Sequence, residues 1–392
     1  MRIKQGSGLV AALTLTLSLG LVSPALLQAQ ERQGLLLNAN LLAETDDNVL
    51  RKINAVSDSA LKLSPEVSFL DDFGKHQLSA NYQGEYASYS DNGDLNYDSH
   101  DIKAKALFDH SYRINSELQV GYKDQVEDPG TTNSSTILIN TFNNVNESSA
   151  LAKVYFGRTQ STGQIVLAYD FNQQRYTNNL QGYRDVDRNK FTGTYFYRIS
   201  PKTRMLFEAS LANYEYDKQI QYGDQSSDEM LYLAGAEWSV TAKTTGVFKI
   251  GYQSKDYEND YYSDISGLSY LLDMIWKPNT YSTVTLGASR LTTESAQFGI
   301  GGFISTSFVV GYDHELSRRT QLKINYQYDI EDISWVRDRE DTRHDFKIGI
   351  NYSLQRWLDL GINYRYLKRD SSYQLYGFES NSFNLSLTST FE

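Results

Sequence analysis

Apolar and polar residues alternate for about ten positions at a time along most of this chain, and the alternating stretches are joined by connections that are by turns short and long. The pattern is plainest toward the end. Leu322, Ile324, Tyr326, Tyr328 and Ile330 alternate with Lys323, Asn325, Gln327 and Asp329. Phe346, Ile348, Ile350, Tyr352 and Leu354 alternate with Lys347, Gly349, Asn351 and Ser353, and Leu358, Leu360, Ile362, Tyr364 and Tyr366 with Gly361, Asn363 and Arg365. Successive side chains on a strand face opposite ways, so each segment has one apolar and one polar face. A soluble sandwich shows the same period. Other features decide which way the apolar face points.

Arg2 and Lys4 precede an apolar run from Leu9 to Leu27, with the small Ala29 after it, which reads as a secretory signal peptide over residues 1–29. No cysteine occurs anywhere, so stability cannot rest on disulfides. The mean hydropathy is −0.50, and no apolar run of membrane-helix length follows the signal. A barrel crosses a bilayer with only every second residue apolar, so a hydrophilic average is what it gives. The 30 Tyr, 17 Phe and 4 Trp suit the aromatic girdles of such a barrel, and many Tyr stand at strand ends, as at Tyr86, Tyr214, Tyr216, Tyr328, Tyr364 and Tyr366. The fold expected is therefore an all-β, antiparallel up-and-down transmembrane barrel over residues 30–392. Eighteen strands fit the pattern, with sixteen as the alternative, and an even count puts both termini in the periplasm of a bacterial outer membrane. Among the strands so placed are 148–157, 297–315 and 343–353.

The net charge of −11 leaves no basic stripe to neutralise phosphates, which excludes nucleic acid as a partner. Outer-membrane lipid and the barrel insertion machinery are the partners expected; the final strand, with Phe383, Leu385, Leu387 and Phe391 on one face, resembles the signal that machinery reads, although Glu392 follows the aromatic. The register points Lys103, Lys105, Lys123, Gln125, Asp170, Glu208, Lys249, Lys255, Lys323, Asp329, Lys347 and Arg365 into the lumen, with Lys62, Glu66, Glu85, Glu117 and Asp273. Leu151, Tyr155 and Phe196 fall on the same inward positions. Buried charges need water or each other, so these residues read either as a solvated, salt-bridged lining or as ligands of a passing solute. Residues 128–147, with Asn133, Ser134, Ser135, Asn140, Asn143 and Asn144, read either as a constriction loop or as a surface loop.

No catalytic residues, cofactor or metal ligands are expected. His76, His100, His110, His314 and His344 are scattered without nucleophile or ligand spacing. Gly299, Gly301 and Gly302 fall within a strand by this reading, as lumen-side glycines rather than a nucleotide loop. Asp91, Gly93, Asp94 and Asp98 read as a solvated acidic tip.

The run Gly34, Leu35, Leu36, Leu37, Asn38, Ala39, Asn40, followed by Thr45, Asp46, Asp47, Asn48 and Val49, resembles the outer-membrane family called putative β-barrel porin 2, and the hairpin layout extends the likeness over the whole mature chain. That resemblance implies passage of exopolysaccharide across the outer membrane, with biofilm as its setting, polysaccharide as substrate, and periplasmic and inner-membrane export proteins as partners. The residues alone leave two alternatives open: a passive porin for small solutes, and a closed structural or adhesive barrel. With the long loops expected outside the cell, cysteines placed at Ser135 and Ser372 should react with an impermeant reagent on whole cells and one at Ser317 should not; labelling at Ser317 alone inverts the topology.

Overall fold

The computed structural model describes residues 34–130, 140–217, 223–241, 243–297, 299–333 and 339–391, and readings that fall on residues 1–29 lie outside them. Eighteen strands form one antiparallel sheet. The first six are β1 (Gly34–Asp46), β2 (Asp58–Phe73), β3 (His76–Tyr89), β4 (Tyr97–Asp109), β5 (Ile114–Val126) and β6 (Asn144–Phe156). Then come β7 (Gly163–Tyr176), β8 (Val186–Ser200), β9 (Thr203–Tyr216), β10 (Ser227–Thr241), β11 (Thr244–Tyr257) and β12 (Ile265–Asn279). The last are β13 (Ser282–Glu294), β14 (Gly302–Ser317), β15 (Thr320–Ile333), β16 (Arg339–Gln355), β17 (Leu358–Ser371) and β18 (Phe378–Phe391). Each pairs with its sequence neighbours, and β1 pairs with β18 from Leu37↔Phe391 to Asp46↔Ser382, which closes the barrel. Closure leaves no edge strand, the condition for a sheet to sit in hydrocarbon.

The strand count and the closed antiparallel barrel agree with the sequence reading, while several ends differ. β6 begins at Asn144 and β16 at Arg339, each earlier than the polar sequence suggested, because polar contacts rather than apolar alternation accompany pairing there: on β6 the Asn144 amide donates to the Asn178 side chain, and on β16 Arg339 and Arg343 are ion-paired. β14 begins only at Gly302. Gly299, with φ +80°, and Gly301 therefore lie in the preceding loop and not within a strand. A Cβ on Gly301 would stand 2.7 Å from the Tyr257 ring, so glycine serves close approach there.

The outer face is the apolar one. Ile102, Leu118, Val120, Leu167, Phe207, Phe308, Val310, Ile350, Ile362 and Leu385 are all well exposed, as lipid-facing residues are. The aromatic residues form belts that include Tyr364 with Phe383 and Trp357 stacked on Phe391. All five histidines join these belts: ring contacts set His76 and His110 against Phe108, His100 beside Tyr82 and Tyr86, His314 beside Tyr281 and Tyr312, and His344 beside Tyr326 and Tyr328.

The Asp-Asp-Asn run after β1 fastens the closing seam. Asp46 accepts hydrogen bonds from the Asn48 amide and Ser380 Oγ and pairs with Arg51; Asp47 binds the amide and side chain of Asn381; Asn48 Nδ2 donates to the carbonyls of Lys52 and Glu379. The short motif thus ties the loop that follows the first strand to the last strand.

The register makes a one-residue contrast testable. Ile324 faces out and Asn325 faces in, so Ile324→Arg should cost about 2–4 kcal/mol if it lies near mid-bilayer, and Asn325→Arg far less. Equilibrium unfolding in lipid vesicles compares them, and equal losses would contradict the register.

Candidate functional site

Every inward residue expected from the sequence stands on the face opposite the lipid-facing one, and most have found an opposite charge. Lys62 meets Glu44 at 2.6 Å, Lys103 meets Asp101 at 2.8 Å, Lys105 meets Glu117 at 3.3 Å and Lys123 meets Glu147 at 3.7 Å. Asp170 pairs with Arg188 at 2.5 Å, Glu208 with Lys249 at 2.7 Å, and Asp329 with Arg343 at 2.6 Å. Lys347 and Arg365 share Asp345, at 3.4 and 2.9 Å. Lys255 reaches Glu294 at 2.5 Å without a well-directed hydrogen bond, its Nζ 3.5 Å above the Tyr214 ring. Glu66 accepts from Asn38, Ser68 and Asn81, and Glu85 from Ser64 and Tyr97. Lys323 stands directly opposite Asp313 in the ladder, Asp273 opposite Gly287, and Gln125 opposite Val145. These residues are spread around the wall; the structure brings them together pairwise, not into one locus. Tyr155 and Phe196 do face inward, where the Tyr155 hydroxyl donates to Glu117 and Phe196 lies under the Arg204 guanidinium.

The densest part of the wall lies on β15 to β17. Arg339, Asp341, Arg343, Asp345 and Lys347 occupy successive inward positions of β16, opposite Asp329 and Glu331 on β15 and Arg365 and Arg369 on β17. Arg339 pairs with Asp341, and its guanidinium sits 3.6 Å from the Tyr376 ring. Sequence reasoning passed over Arg339, Asp341, Arg343, Asp345 and Arg369, although their alternation of sign at every second position was there to be read. Glycine makes room elsewhere on the wall: a Cβ on Gly349 would collide with the Asn363 side chain, and one on Gly361 with Ser386 Oγ.

The two ends of the loop between β5 and β6 turn into the barrel. Asp128 lies 3.6 Å from Arg365, and Arg369 donates to the Gly130 carbonyl at 3.3 Å. Five strands separate β5 from β17 by the shorter way round, so these contacts cross the lumen. Gly130 has φ +76°, and a Cβ there would fall 2.5 Å from Phe378 and 2.8 Å from Arg51. At the other end Phe142 is buried with Val49, Leu50 and Leu95, an apolar cluster made by three loops. Asn140 accepts from Lys52, and Asn143 donates to Glu127. Asn133, Ser134 and Ser135 lie outside the described residues.

Glu127 is the hub of this closure. It takes two hydrogen bonds from Arg184, at 2.8 and 3.0 Å, and one from Tyr176 at 2.6 Å. Burial opposes the Arg184 charge, but Tyr176 and Glu127 outweigh it and hold the guanidinium protonated above its ordinary range. Burial pushes the neighbouring Tyr183 hydroxyl up as well. That hydroxyl donates to the Ala296 carbonyl at 2.8 Å, joining loops from separate hairpins. The long-loop rim is thus drawn together by polar bonds over a small apolar core.

Other features carry no site. Ser282 Oγ lies 2.8 Å from His314 Nδ1, a pair the sequence did not select, but Tyr312 rather than a carboxylate is the second partner of that nitrogen and the pair sits in the outer aromatic belt. Asp91 and Asn92 bind Asp58 through their amides, so the acidic tip is stapled to β2, and no metal-ligand group of three occurs among the described residues. A hollow of about 690 Å³ between Tyr195, Phe207, Tyr232 and Tyr252, with Gly193, Ala209 and Ala234 at its floor, opens on the lipid-facing wall and away from the lumen.

A family model described as putative beta-barrel porin 2 matches residues 38–391. No curated protein matches. Among solved structures, OpdK of Pseudomonas aeruginosa with vanillate is similar at a TM-score of 0.50 and 11% identity, over 91% of this chain and 99% of that one. A BenF-like porin from Pseudomonas fluorescens Pf-5 is similar at 0.51 and 12% identity, again over 91% and 99%. At such identities the likeness is one of fold.

The pairing of the wall predicts two classes of substitution. Arg343→Ala removes the ion-pair partner of Asp329, which is 2% exposed, and should destabilise the barrel by about 3–5 kcal/mol. Lys103→Ala, at an exposed pair, should cost less than about 1 kcal/mol. Urea unfolding of the folded barrel measures both.

Proposed function

The chain belongs to the putative beta-barrel porin 2 family, and from its inturned loop and polar lining we infer that this outer-membrane porin passes small polar solutes by passive diffusion. The observation that carries the reading is the inturned loop between β5 and β6, held across the lumen by Asp128 on Arg365 and by Gly130 on Arg369. Eighteen strands make a wall wide enough for an aqueous channel. The described end of that loop, held across this width, would narrow the bore below that of an open eighteen-strand wall. The lining favours weak, reversible contact: paired charges with part-exposed amides such as Asn81, Gln119 and Asn351 between them offer a solute many partners and no single deep trap.

Export of exopolysaccharide, which the family resemblance implies, finds no support in this lumen. A polymer needs a continuous wide tunnel, whereas here loops from separate hairpins are bonded to one another over the long-loop rim. Both the porin family and the fold are those of channels, not enzymes.

Purified protein in planar bilayers should conduct. Asp128→Asn, which weakens one of the loop's holds across the lumen while leaving Arg365 on Asp345, should raise the single-channel conductance. Liposomes carrying the protein should swell in monosaccharide and not in long dextrans. Passage of long dextrans would restore the polymer reading, and a silent bilayer for both proteins would favour a closed structural barrel.

A further inference from the structure

The turns of the short-turn rim carry charge of one sign. Seven of the eight short turns carry a lysine or arginine, and none carries an aspartate or glutamate. Lys75, Arg113, Arg158 and Lys202 serve the first four turns. Lys243 serves the β10–β11 turn, Arg318 and Arg319 the β14–β15 turn, and Arg356 the β16–β17 turn. The turn between β12 and β13 lacks a cation of its own, but Lys277 stands beside it and Lys243 Nζ leans over to the Pro278 carbonyl at 3.0 Å. Composition does not produce this sorting, since the chain has 48 acidic and 37 basic residues.

These cations are available. Lys75, Arg113, Lys277, Arg318, Arg319 and Arg356 are exposed and make no ion pair among the described residues, and Lys75 Nζ donates to the His110 carbonyl at 3.1 Å. Acids do lie near the rim, inside the strand ends. Asp109 takes Arg158 at 4.0 Å, Asp71 and Asp72 are engaged by the Asp72 amide and Gln77, and Glu315 and Asp359 occupy inward positions. The cations also alternate with large exposed rings: Tyr112, Trp276, Tyr281 and Trp357 are 74%, 44%, 51% and 49% exposed, and Arg158 lies 4.4 Å over the Tyr112 ring. Tyr and Trp settle at the headgroup level of a bilayer, so a cation one or two residues beyond such a ring stands at the depth of the lipid phosphate.

We propose that the short-turn rim is a docking collar for anionic phospholipid headgroups. The cations encircle the perimeter instead of clustering on one side, and a lipid annulus is the partner with that shape. A protein or a soluble acid would need a patch. The collar complements the girdle: rings fix depth, and the cations select the headgroup charge at that depth.

The test uses the full barrel, folded in a neutral detergent, delipidated, and offered an equal mixture of phosphatidylglycerol and phosphatidylcholine, and in a second run phosphatidylglycerol with lipopolysaccharide. Native mass spectrometry counts the lipids retained. The wild type should retain phosphatidylglycerol several-fold over phosphatidylcholine, and the triple variant R318Q/R319Q/R356Q should lose much of that preference while still showing the heat-modifiable gel shift of a folded barrel. A second variant, K75Q/R113Q, on the other side of the rim, should lose part of it too. Equal retention of the two lipids by the wild type, an undiminished preference in both variants, or stronger retention of lipopolysaccharide than of phosphatidylglycerol would each overturn the proposal.

Discussion

Backbone hydrogen bonding in a medium without water governs this structure. A strand in hydrocarbon cannot leave its amides and carbonyls to solvent, so the sheet has to close. The closing pair is β1 with β18, the two strands farthest apart in sequence, and it forms last in any order that builds hairpins from neighbours. The tightest polar cluster near that seam is the Asp46, Asp47 and Asn48 clasp, which replaces the hairpin loop that every other strand pair enjoys. A covalent turn holds the other ladders in register; side chains do so here.

Closure creates an inside, and the inside sets the electrostatic problem. A charge removed from water needs a partner, and the wall meets that need mostly by pairing across neighbouring strands, as in Lys105 with Glu117 or Asp329 with Arg343. On β16 the pairing becomes a ladder of alternating sign along one strand. That wall is where the inturned loop lands: Arg365 serves both Asp345 beside it and Asp128 from across the lumen. The same arginine therefore joins the wall to the inturned end of the loop.

The wall was legible in the sequence because its period is two and its two faces differ in chemistry. All eighteen strands and the inward residues from Lys62 to Arg365 follow from parity. Strand ends were less legible: Arg339 and Asn144 extend their strands through polar pairing, which apolar alternation cannot show. Gly299 and Gly301 were placed in a strand because a run of small and apolar residues reads as one, whereas the positive φ of Gly299 and the nearness of Tyr257 to Gly301 belong to the tertiary structure. The bonds over the long-loop rim were not legible at all. Glu127 and Arg184 are 57 residues apart, and nothing local marks them as partners.

That division has a functional side. The number of strands fixes the width of the wall, but the effective bore is fixed by what the loops place inside it, and loops are held by a few long-range contacts. On the proposed reading, exchanging Asp128, Gly130 or Phe142 would change the passage while leaving the strand ladders in place. A barrel can thus keep its wall and alter its solute, which is why a shared fold at 11% or 12% identity says little about what passes. At Gly130, with φ +76°, the backbone lies against Arg51, Arg369 and Phe378, and a Cβ would collide with Phe378 and Arg51, so a side chain at that point would shift the contact that spans the lumen.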